Sequence, residues 1–357
     1  MSNQNIYLHG IATNTPNYTY NQEEFKEMTL KLIGDTEEKR NFIEKIYKNS
    51  GIEKRNFTIS KEYIENNLWP STKKRNDIFI EEAKSLSLDC VKKLLDKLPG
   101  FDKSKISHII TVSCTGFVAP GIDFYITKEL ELNSAINRYN IGFMGCYAAF
   151  PALKLARNIC LSEPEARVLM VTTELCTLHY QKIFEPDIVV ANAIFADGIT
   201  ASLISSCAED SKSDKILLRQ FEAQYIDNSE EEMAWTIGES GFDLKLSVYV
   251  PSIIKENIQG ILSPIFKRAH ISKDDIDIWA IHPGGRAILD NISEALEIPK
   301  EGLCHSYDIL REYGNMSSSS VMFILERVLS SEKYGKIFTA GFGPGLTVET
   351  GYLEKVG

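Results

Sequence analysis

The segment KSKISHIITVSCTG, residues 103–116, decides the fold because its pattern returns as KDDIDIWAIHPGG at residues 273–285, a shift of 170 without gaps. Two further blocks repeat in the same order, at shifts of 174 and 169: 139–150 with 313–324, and 167–171 with 336–340. Three blocks in one order at a nearly constant distance predict a duplicated α/β unit. The alternative is that any two α/β units share a rhythm of strand, loop and helix.

Apolar runs typical of buried strands alternate with amphipathic segments of helical length. The predicted strands are 106–113, 167–172, 278–281 and 336–340, and the predicted helices are 78–97, 147–161, 251–269 and 318–331. This pattern predicts an α/β fold with two pseudo-twofold related halves, residues 1–220 and 221–357, which meet in the polar and acidic stretch 205–240. Because ligand sites favour the carboxyl ends of strands and the interfaces between units, we expect the halves to share one site.

Composition excludes several classes of protein. The chain has 357 residues with 39 Lys and Arg against 49 Asp and Glu, a net charge of −10, which argues against a nucleic-acid partner. No basic leader with an apolar core and no apolar run of about 18 residues is present, so we expect a cytoplasmic protein without membrane insertion. The seven cysteines show no CxxC spacing, so neither a metal site nor a disulfide framework is predicted.

One cysteine has the surroundings of a nucleophile. Cys146 lies in GFMGCYAAFPAL, where glycines end a strand or loop and an Ala- and Leu-rich helix follows. The free N–H groups and the dipole of a helix start stabilise an anion, so we expect a lowered thiol pKa. The same groups favour the oxyanion of a thioester under attack. The alternative is a small buried cysteine packed beneath a helix start.

A thiolate needs a partner that handles protons, and His282 is the best placed of the six histidines. It ends the apolar strand IWAI and is followed by a proline and two glycines that stop the strand. Asn315, in YGNMSSSS, occupies the matching region of the repeat, and pseudo-symmetry predicts that it reaches the same interface. A neutral amide can donate to a thioester carbonyl without opposing a developing enolate, whereas the serines after it can simply cap a helix.

A glycine-rich turn, GFGPGLTVE at residues 341–349, lacks the spacing and the following helix of a nucleotide-binding loop. Together with GCYAAFPAL, IHPGGRAIL and YGNMSSSSVMFIL, it resembles the type III polyketide synthases, the chalcone-synthase-like branch of the thiolase superfamily. The resemblance covers residues 5–355 in the same order. It implies a duplicated αβαβα thiolase-like fold that works as a homodimer, acyl-CoA and malonyl-CoA as substrates, and no metal or other cofactor.

The resemblance also implies roles for single residues. Cys146 takes the acyl starter, while His282 and Asn315 bind the malonyl thioester as carbon dioxide leaves. The implied gatekeepers of the cavity are Phe195 and Leu244, and the implied cavity residues are Cys114, Ala119, Cys176, His179 and Ser317. The implied coenzyme A contacts are Lys54, Arg55, Gly284, Gly285 and Ala287. The implied scaffold loop of the active site consists of Gly341, Phe342, Gly343, Pro344 and Gly345. Ala119 stands where family members carry a methionine that reaches into the partner subunit.

Apolar and small residues at several cavity positions favour a fatty acyl starter that yields an alkylpyrone or alkylresorcinol. A synthase that uses malonyl units alone to make a small phenolic ring is the first alternative. A ketoacyl-ACP synthase III, with the same Cys, His and Asn, is the second. A catalytically inactive thiolase-fold subunit that binds acyl chains is the alternative from a different functional class.

Overall fold

A computed structural model describes residues 4–66, 70–247 and 249–357. The described residues form thirteen strands and eleven α-helices. The strands are β1 (Tyr7–Asn14), β2 (Tyr18–Asn21), β3 (Lys54–Phe57), β4 (His108–Ser113), β5 (Asn137–Gly142), β6 (Arg167–Leu175), β7 (Asp197–Ser205), β8 (Lys215–Tyr225), β9 (Met233–Gly238), β10 (Gly241–Leu246), β11 (Ile278–Ile281), β12 (Gly335–Gly343) and β13 (Thr347–Val356). The helices are α1 (Gln22–Ile33), α2 (Glu37–Asn49), α3 (Lys61–Asn66), α4 (Thr72–Lys97), α5 (Ile122–Glu129), α6 (Ala149–Ser162), α7 (Pro186–Ile194), α8 (Val250–Ala269), α9 (Arg286–Ala295), α10 (Cys304–Tyr313) and α11 (Ser319–Ser330).

Nine of these strands pair in the order β11-β12-β13-β8-β1-β7-β6-β4-β5. In the first half, β4 and β6 are parallel and β7 runs antiparallel beside β6. In the second half, β11 and β12 are parallel and β13 runs antiparallel beside β12. The halves join where β1 pairs with β8. This symmetric strand order confirms the predicted duplication.

Two helices form a layer that is buried between the strands of the two halves. Helices α6 and α11 pack on each other and on strands of both halves, whereas α4 and α8 cover the opposite faces of the strands. Because successive side chains of a strand point to opposite faces, β6 serves both layers. Val168 and Met170 belong to the inner core around α6 and α11, and Leu169 and Val171 belong to the outer core around α4. The predicted αβαβα thiolase-like architecture is confirmed.

Local sequence explains where the predicted elements begin. Each predicted strand and helix is present, but α4 begins at Thr72 rather than at residue 78. Ser71 caps it, since its side chain accepts a hydrogen bond from the Lys74 backbone N–H at 3.3 Å. Apolar periodicity did not indicate this earlier start because the first turn of α4 is polar.

The stretch expected to separate the halves is structured. The predicted boundary between residues 220 and 221 falls inside β8, which pairs with both β1 and β13. The division of the chain at that point stays a prediction. The same stretch contributes β9, which forms a separate hairpin with β10. Among the described residues, none of the helices is long and apolar enough to cross a membrane.

Candidate active site

The proposed nucleophile lies in a tight turn between β5 and α6. Gly145, immediately before Cys146, has a φ of +83°, a conformation that favours glycine. A Cβ at Gly145 would lie 2.4 Å from the Pro344 side chain, so only glycine permits this approach. The turn of the first half is therefore held directly against the glycine-rich turn of the second half.

The glycine-rich turn after β12 is shaped by the same contact. A Cβ at Gly343 would lie 2.6 Å from the ring of Tyr147, and one at Gly341 would lie 2.5 Å from the ring of Phe150. Both aromatic residues flank the start of α6. The predicted scaffold loop, Gly341 to Gly345, consequently packs against the segment that carries Cys146.

His282 follows the last residue of β11. Its backbone N–H donates to the Ala340 carbonyl at 2.8 Å, which extends the parallel pairing of β11 with β12 by one step. The side chain is buried, and among the described residues neither ring nitrogen has a hydrogen-bond partner. Buried polar groups without partners are rare, so both nitrogens are available to a substrate or to a transferred proton.

Asn315 lies between α10 and α11, and its backbone is fixed to the first half. The Asn315 N–H donates to the Ile194 carbonyl, and the Asn315 carbonyl accepts from the Ala196 N–H, both at 2.9 Å. Its side-chain Oδ1 accepts from the Ser317 N–H at 2.9 Å, and Nδ2 donates to the Gly284 carbonyl at 3.3 Å. The second Nδ2 hydrogen is left for the Cys146 sulfur, with which the Asn315 side chain interacts, or for a substrate oxygen that takes its place.

These three side chains line one cavity, called the first cavity below, which encloses about 630 Å³ of empty space including its mouth. Other predicted residues in its wall are Phe195, Leu244, Cys114, Cys176, Ser317, Gly284, Phe342 and Pro344. The cavity therefore lies between the halves, as the repeat predicts. Three separate loops contribute Cys146, His282 and Asn315.

Burial controls the resting charge of the site. It raises the pKa of the Cys146 thiol to about 12, and contacts with the Ser317 and Asn315 side chains offset this only in part. The expected lowering of this pKa is wrong, because α6 begins only at Ala149 and desolvation outweighs its dipole. Burial also lowers the pKa of His282 to about 3. A thiolate paired with an imidazolium is neutral as a whole, so burial opposes the pair less than either charge alone.

Comparison with known proteins agrees with this geometry. Residues 2–208 match the sequence model of the chalcone and stilbene synthases' N-terminal domain, and residues 218–357 match that of their C-terminal domain. The chain belongs to the chalcone and stilbene synthase family. It is accordingly a type III polyketide synthase, an acyltransferase that catalyses decarboxylative condensation.

Individual synthases are similar over nearly the whole chain. The alpha-pyrone synthesis polyketide synthase-like Pks18 of Mycobacterium tuberculosis is 32% identical over 354 residues, which are 96% of this chain and 89% of that protein. The crystal structure of the C-terminal type III polyketide synthase domain of Steely1 from Dictyostelium has a TM-score of 0.93 at 28% identity, over 99% of this chain and 100% of that one. PKS-I from the brown alga Ectocarpus siliculosus has a TM-score of 0.91 at 28% identity, with both chains fully covered.

One predicted coenzyme A contact of the synthase is contradicted by its surroundings. Arg55 is only 1% exposed, and its Nη1 donates to the carbonyls of Asn192 and Phe195 at 2.8 and 2.7 Å. A buried guanidinium that holds the backbone at a predicted gatekeeper cannot reach phosphates in solvent. Its neighbour Lys54 is exposed at the start of β3 and remains a predicted phosphate contact.

Besides Lys54, Arg55 and the three glycines of the scaffold loop, four predicted positions lie outside the wall of the first cavity. Ala119 is exposed beside Pro120 at the protein surface, so it does not line the cavity of its own chain. His179 lines a neighbouring cavity, where its ring stacks on Phe242 with centroids 3.9 Å apart. Gly285 is the N-cap of α9 just beyond Gly284, and Ala287 lies exposed in the first turn of that helix.

Sequence reasoning missed six residues in the wall of the first cavity, Thr115, Gly145, Met233, Trp235, Leu246 and Ile288, and it also missed Glu174, which binds the Cys114 backbone in that wall. Trp235 on β9 lines the first cavity and donates from Nε1 to the Cys114 carbonyl at 2.8 Å. It was overlooked because it lies in the acidic stretch interpreted as a boundary. Glu174, at the end of β6, is fully buried and accepts from the Cys114 N–H at 3.0 Å and from the Ser318 hydroxyl at 2.5 Å. An acidic residue within an apolar strand was the available signal.

Proposed function

We propose that Cys146, His282 and Asn315 together catalyse the condensation. The observation that carries this proposal is the convergence of a thiol, an unpartnered imidazole and an amide on one buried cavity between the halves. In the first step the Cys146 thiol transfers its proton to His282 and its sulfur attacks the acyl-CoA carbonyl. The carbon–sulfur bond to coenzyme A breaks, and the departing thiolate takes the proton from the imidazolium.

Extension uses the same groups as hydrogen-bond donors. His282 and the second Nδ2 hydrogen of Asn315 bind the thioester carbonyl of malonyl-CoA, where negative charge accumulates as carbon dioxide leaves. The carbon nucleophile of the enolate then attacks the acyl group on Cys146 and expels the Cys146 thiolate. Because burial disfavours an isolated anion, this step gains from a cavity that supplies donors before the charge develops.

The starter in this proposal is a fatty acyl-CoA, and the product is an alkylpyrone or alkylresorcinol. Six apolar side chains support it, since they form much of the first cavity's wall: Met233, Trp235, Leu244, Leu246, Ile288 and Phe342. Similarity to a protein named for alpha-pyrone synthesis points the same way. The malonyl-only route remains the second candidate because Cys114 and Cys176 also lie in this wall.

Coenzyme A is proposed to enter beside Gly284, with Phe195 and Leu244 as gatekeepers and no further cofactor. Gly284 lines the first cavity, and Gly285 and Ala287 continue from it to the surface. The exposed Arg286 side chain packs against Gly51, where an added Cβ would lie 3.1 Å from its Cδ atom. Exposed Lys54 follows Gly51 at the start of β3, so Arg286 and Lys54 are our candidates for binding the coenzyme A phosphates.

The proposed assembly is a cytoplasmic homodimer. Strand β5 ends the nine-stranded sheet with an exposed edge, which offers unpaired backbone groups to another chain. Large apolar side chains lie exposed near it: Phe117 at 43%, Phe124 at 38% and Tyr139 at 41%. Ala119 lines the same surface groove as Phe117, which supports its proposed position near a partner subunit.

Incubation of the purified protein with acyl-CoA of increasing chain length and malonyl-CoA, without carrier protein, tests the proposal. We expect pyrone or resorcinol products by mass spectrometry and an acyl adduct on Cys146. Products formed from malonyl-CoA alone would favour the malonyl-only route. Condensation that requires malonyl-carrier protein would instead favour a ketoacyl-ACP synthase III activity.

A further inference from the structure

A second cavity lies directly beside the first, and we call it the second cavity. It encloses about 420 Å³ including its mouth. Four side chains line both cavities: Cys176, Phe195, Trp235 and Leu244. The shared wall is therefore made of a thiol and three large apolar groups, which suits the methylene carbons of an acyl chain.

Most polar side chains around the second cavity already have partners. Asn192 Nδ2 donates to the Gln181 carbonyl at 2.7 Å, and Gln181 Nε2 donates to the Phe242 carbonyl at 3.1 Å. The Thr177 hydroxyl donates to Asp197 at 2.6 Å. Both ring nitrogens of His179 are hydrogen bonded to backbone groups. None of these side chains needs a ligand to satisfy it.

Arg55 is the exception in this wall. Its Nε donates to Gln22 at 3.0 Å and its Nη1 donates to two backbone carbonyls, but Nη2 has no hydrogen-bond partner within the ranges that the structure describes. The side chain is 1% exposed and lines the second cavity. The rings of Phe25 and Phe57 flank the guanidinium at 5.1 Å and offer Nη2 no oxygen. The Tyr47 hydroxyl also interacts with the guanidinium, but it makes no hydrogen bond of regular length and angle to Nη2.

The charge of Arg55 also lacks a carboxylate in contact. In the described part of the chain Arg55 forms no ion pair within 4.0 Å, in contrast to Arg167 and Arg219, which pair with Glu165, Asp210 and Glu354. Asp197 is nearby, but its oxygens accept four hydrogen bonds from the backbone and side chains of Thr58 and Thr177. A buried cation with an unused donor is costly, and an anionic oxygen is its strongest acceptor.

We propose that the second cavity binds the far end of an acyl starter that carries a terminal carboxylate, with Arg55 Nη2 as the hydrogen-bond donor. This inference rests on the proposed function, because the other end of the starter must be held as a thioester on Cys146. The apolar shared wall contacts the methylene carbons, and the polar end of the cavity selects the terminal group. The preferred substrates are then oxidised fatty acyl thioesters rather than those that end in a methyl group.

Paired starters of equal length test this selection. The wild-type protein is given malonyl-CoA with hexanoyl-CoA or adipoyl-CoA, and with octanoyl-CoA or suberoyl-CoA, and the catalytic efficiency of the first condensation is measured for each. We expect the carboxylate-ended member to be preferred at least tenfold at one of these lengths, which corresponds to about 1.4 kcal/mol. In Arg55→Gln we expect the preference to disappear.

Arg55 also holds the Phe195 backbone, so Arg55→Gln slows turnover of every starter, and the ratio within each pair is the readout. Arg157→Gln is the matched control, because Arg157 donates to the Leu218 carbonyl at 2.9 Å and lines neither cavity. It should keep the wild-type ratio. If Arg55→Gln does not fold, Ala191→Leu narrows the second cavity from α7 and should lower the same ratio.

Each outcome bears on a different statement. Efficient condensation of both members of every pair without a preference, or a preference that survives in Arg55→Gln or in a folded Ala191→Leu variant, overturns the inference and leaves the proposed function standing. Failure of every starter to acylate Cys146 overturns the proposed function and the inference with it.

Discussion

The two halves of the sheet repeat one strand order and place different chemistry at their shared interface. In the first half, the loop that follows β5 presents the Cys146 thiol before α6. In the second half, the loop before α11 presents the Asn315 amide, and the end of β11 presents His282. In the proposed mechanism, the duplicated framework therefore separates the nucleophile from the groups that handle its proton and the thioester carbonyl.

The halves also differ in what they add to the common pattern. The first adds the edge strand β5, which in the proposed dimer contacts the partner subunit. The second adds the β9–β10 hairpin, whose side chains Met233, Trp235, Leu244 and Leu246 line the first cavity. The repeated elements determine where the reacting groups meet, and the added elements determine what surrounds them.

Removal of the thiol should have the largest effect, because only the first half carries it. Cys146→Ala is expected to lower product formation by about 10⁴-fold or more and to abolish the acyl adduct seen in the intact mass. Cys304→Ala, which removes an exposed cysteine on α10, is the control and should load normally. An acyl adduct that persists in Cys146→Ala would show that the nucleophile lies elsewhere.

Removal of the amide tests the role of the second half. Asn315→Ala should slow malonyl-CoA decarboxylation by about 10²- to 10³-fold, as expected for the loss of one donor to a developing oxyanion. Loading of the starter on Cys146 should be less affected, since that step needs the thiol and His282. Asn257→Ala, at an exposed position of α8, is the control and should leave both steps unchanged. Equal losses in both steps would contradict this division of roles.

The added hairpin should matter less than the reacting groups. Trp235→Phe keeps an aromatic ring but removes the donor to the Cys114 carbonyl, so the unfolding free energy should fall by about 1–2 kcal/mol. Urea denaturation measures this change. Ile237→Val, at an exposed site on the same strand, should have little effect. An unchanged stability in Trp235→Phe would mean that this bond does not hold the hairpin.

Glu174 links the halves, because it accepts from Cys114 in one and from Ser318 in the other. Burial raises its pKa from 4.5 to about 7, so its contribution to the unfolding free energy is fully present below pH 4.5 and is lost as the pH rises through 7. Between pH 6 and 8 the wild type should lose about 1 kcal/mol of unfolding free energy through ionisation of Glu174, and the Glu174→Gln variant should not show this loss. Glu129→Gln, at an exposed site, should leave that loss unchanged.

A site residue could be predicted from the sequence only where the neighbouring residues indicate its position in the fold. Cys146, His282 and Asn315 each follow or precede a regular element with glycine nearby, so their positions at strand ends and helix starts were visible. Trp235 and Glu174 were not visible as site residues, because nothing within a few positions of either one indicates which distant strand it contacts. Their roles depend on contacts across 121 and 60 residues of chain.

The sequence by itself determined the duplicated fold and the three groups that meet between its halves, because hydrophobic periodicity and glycine positions are local and repeat along the chain. Only the tertiary structure decided the charge state of Cys146, because desolvation depends on everything packed around the sulfur. It also decided the environment of Arg55: the family resemblance implied a coenzyme A contact, and packing against Phe25, Phe57 and the Phe195 backbone buries the side chain instead.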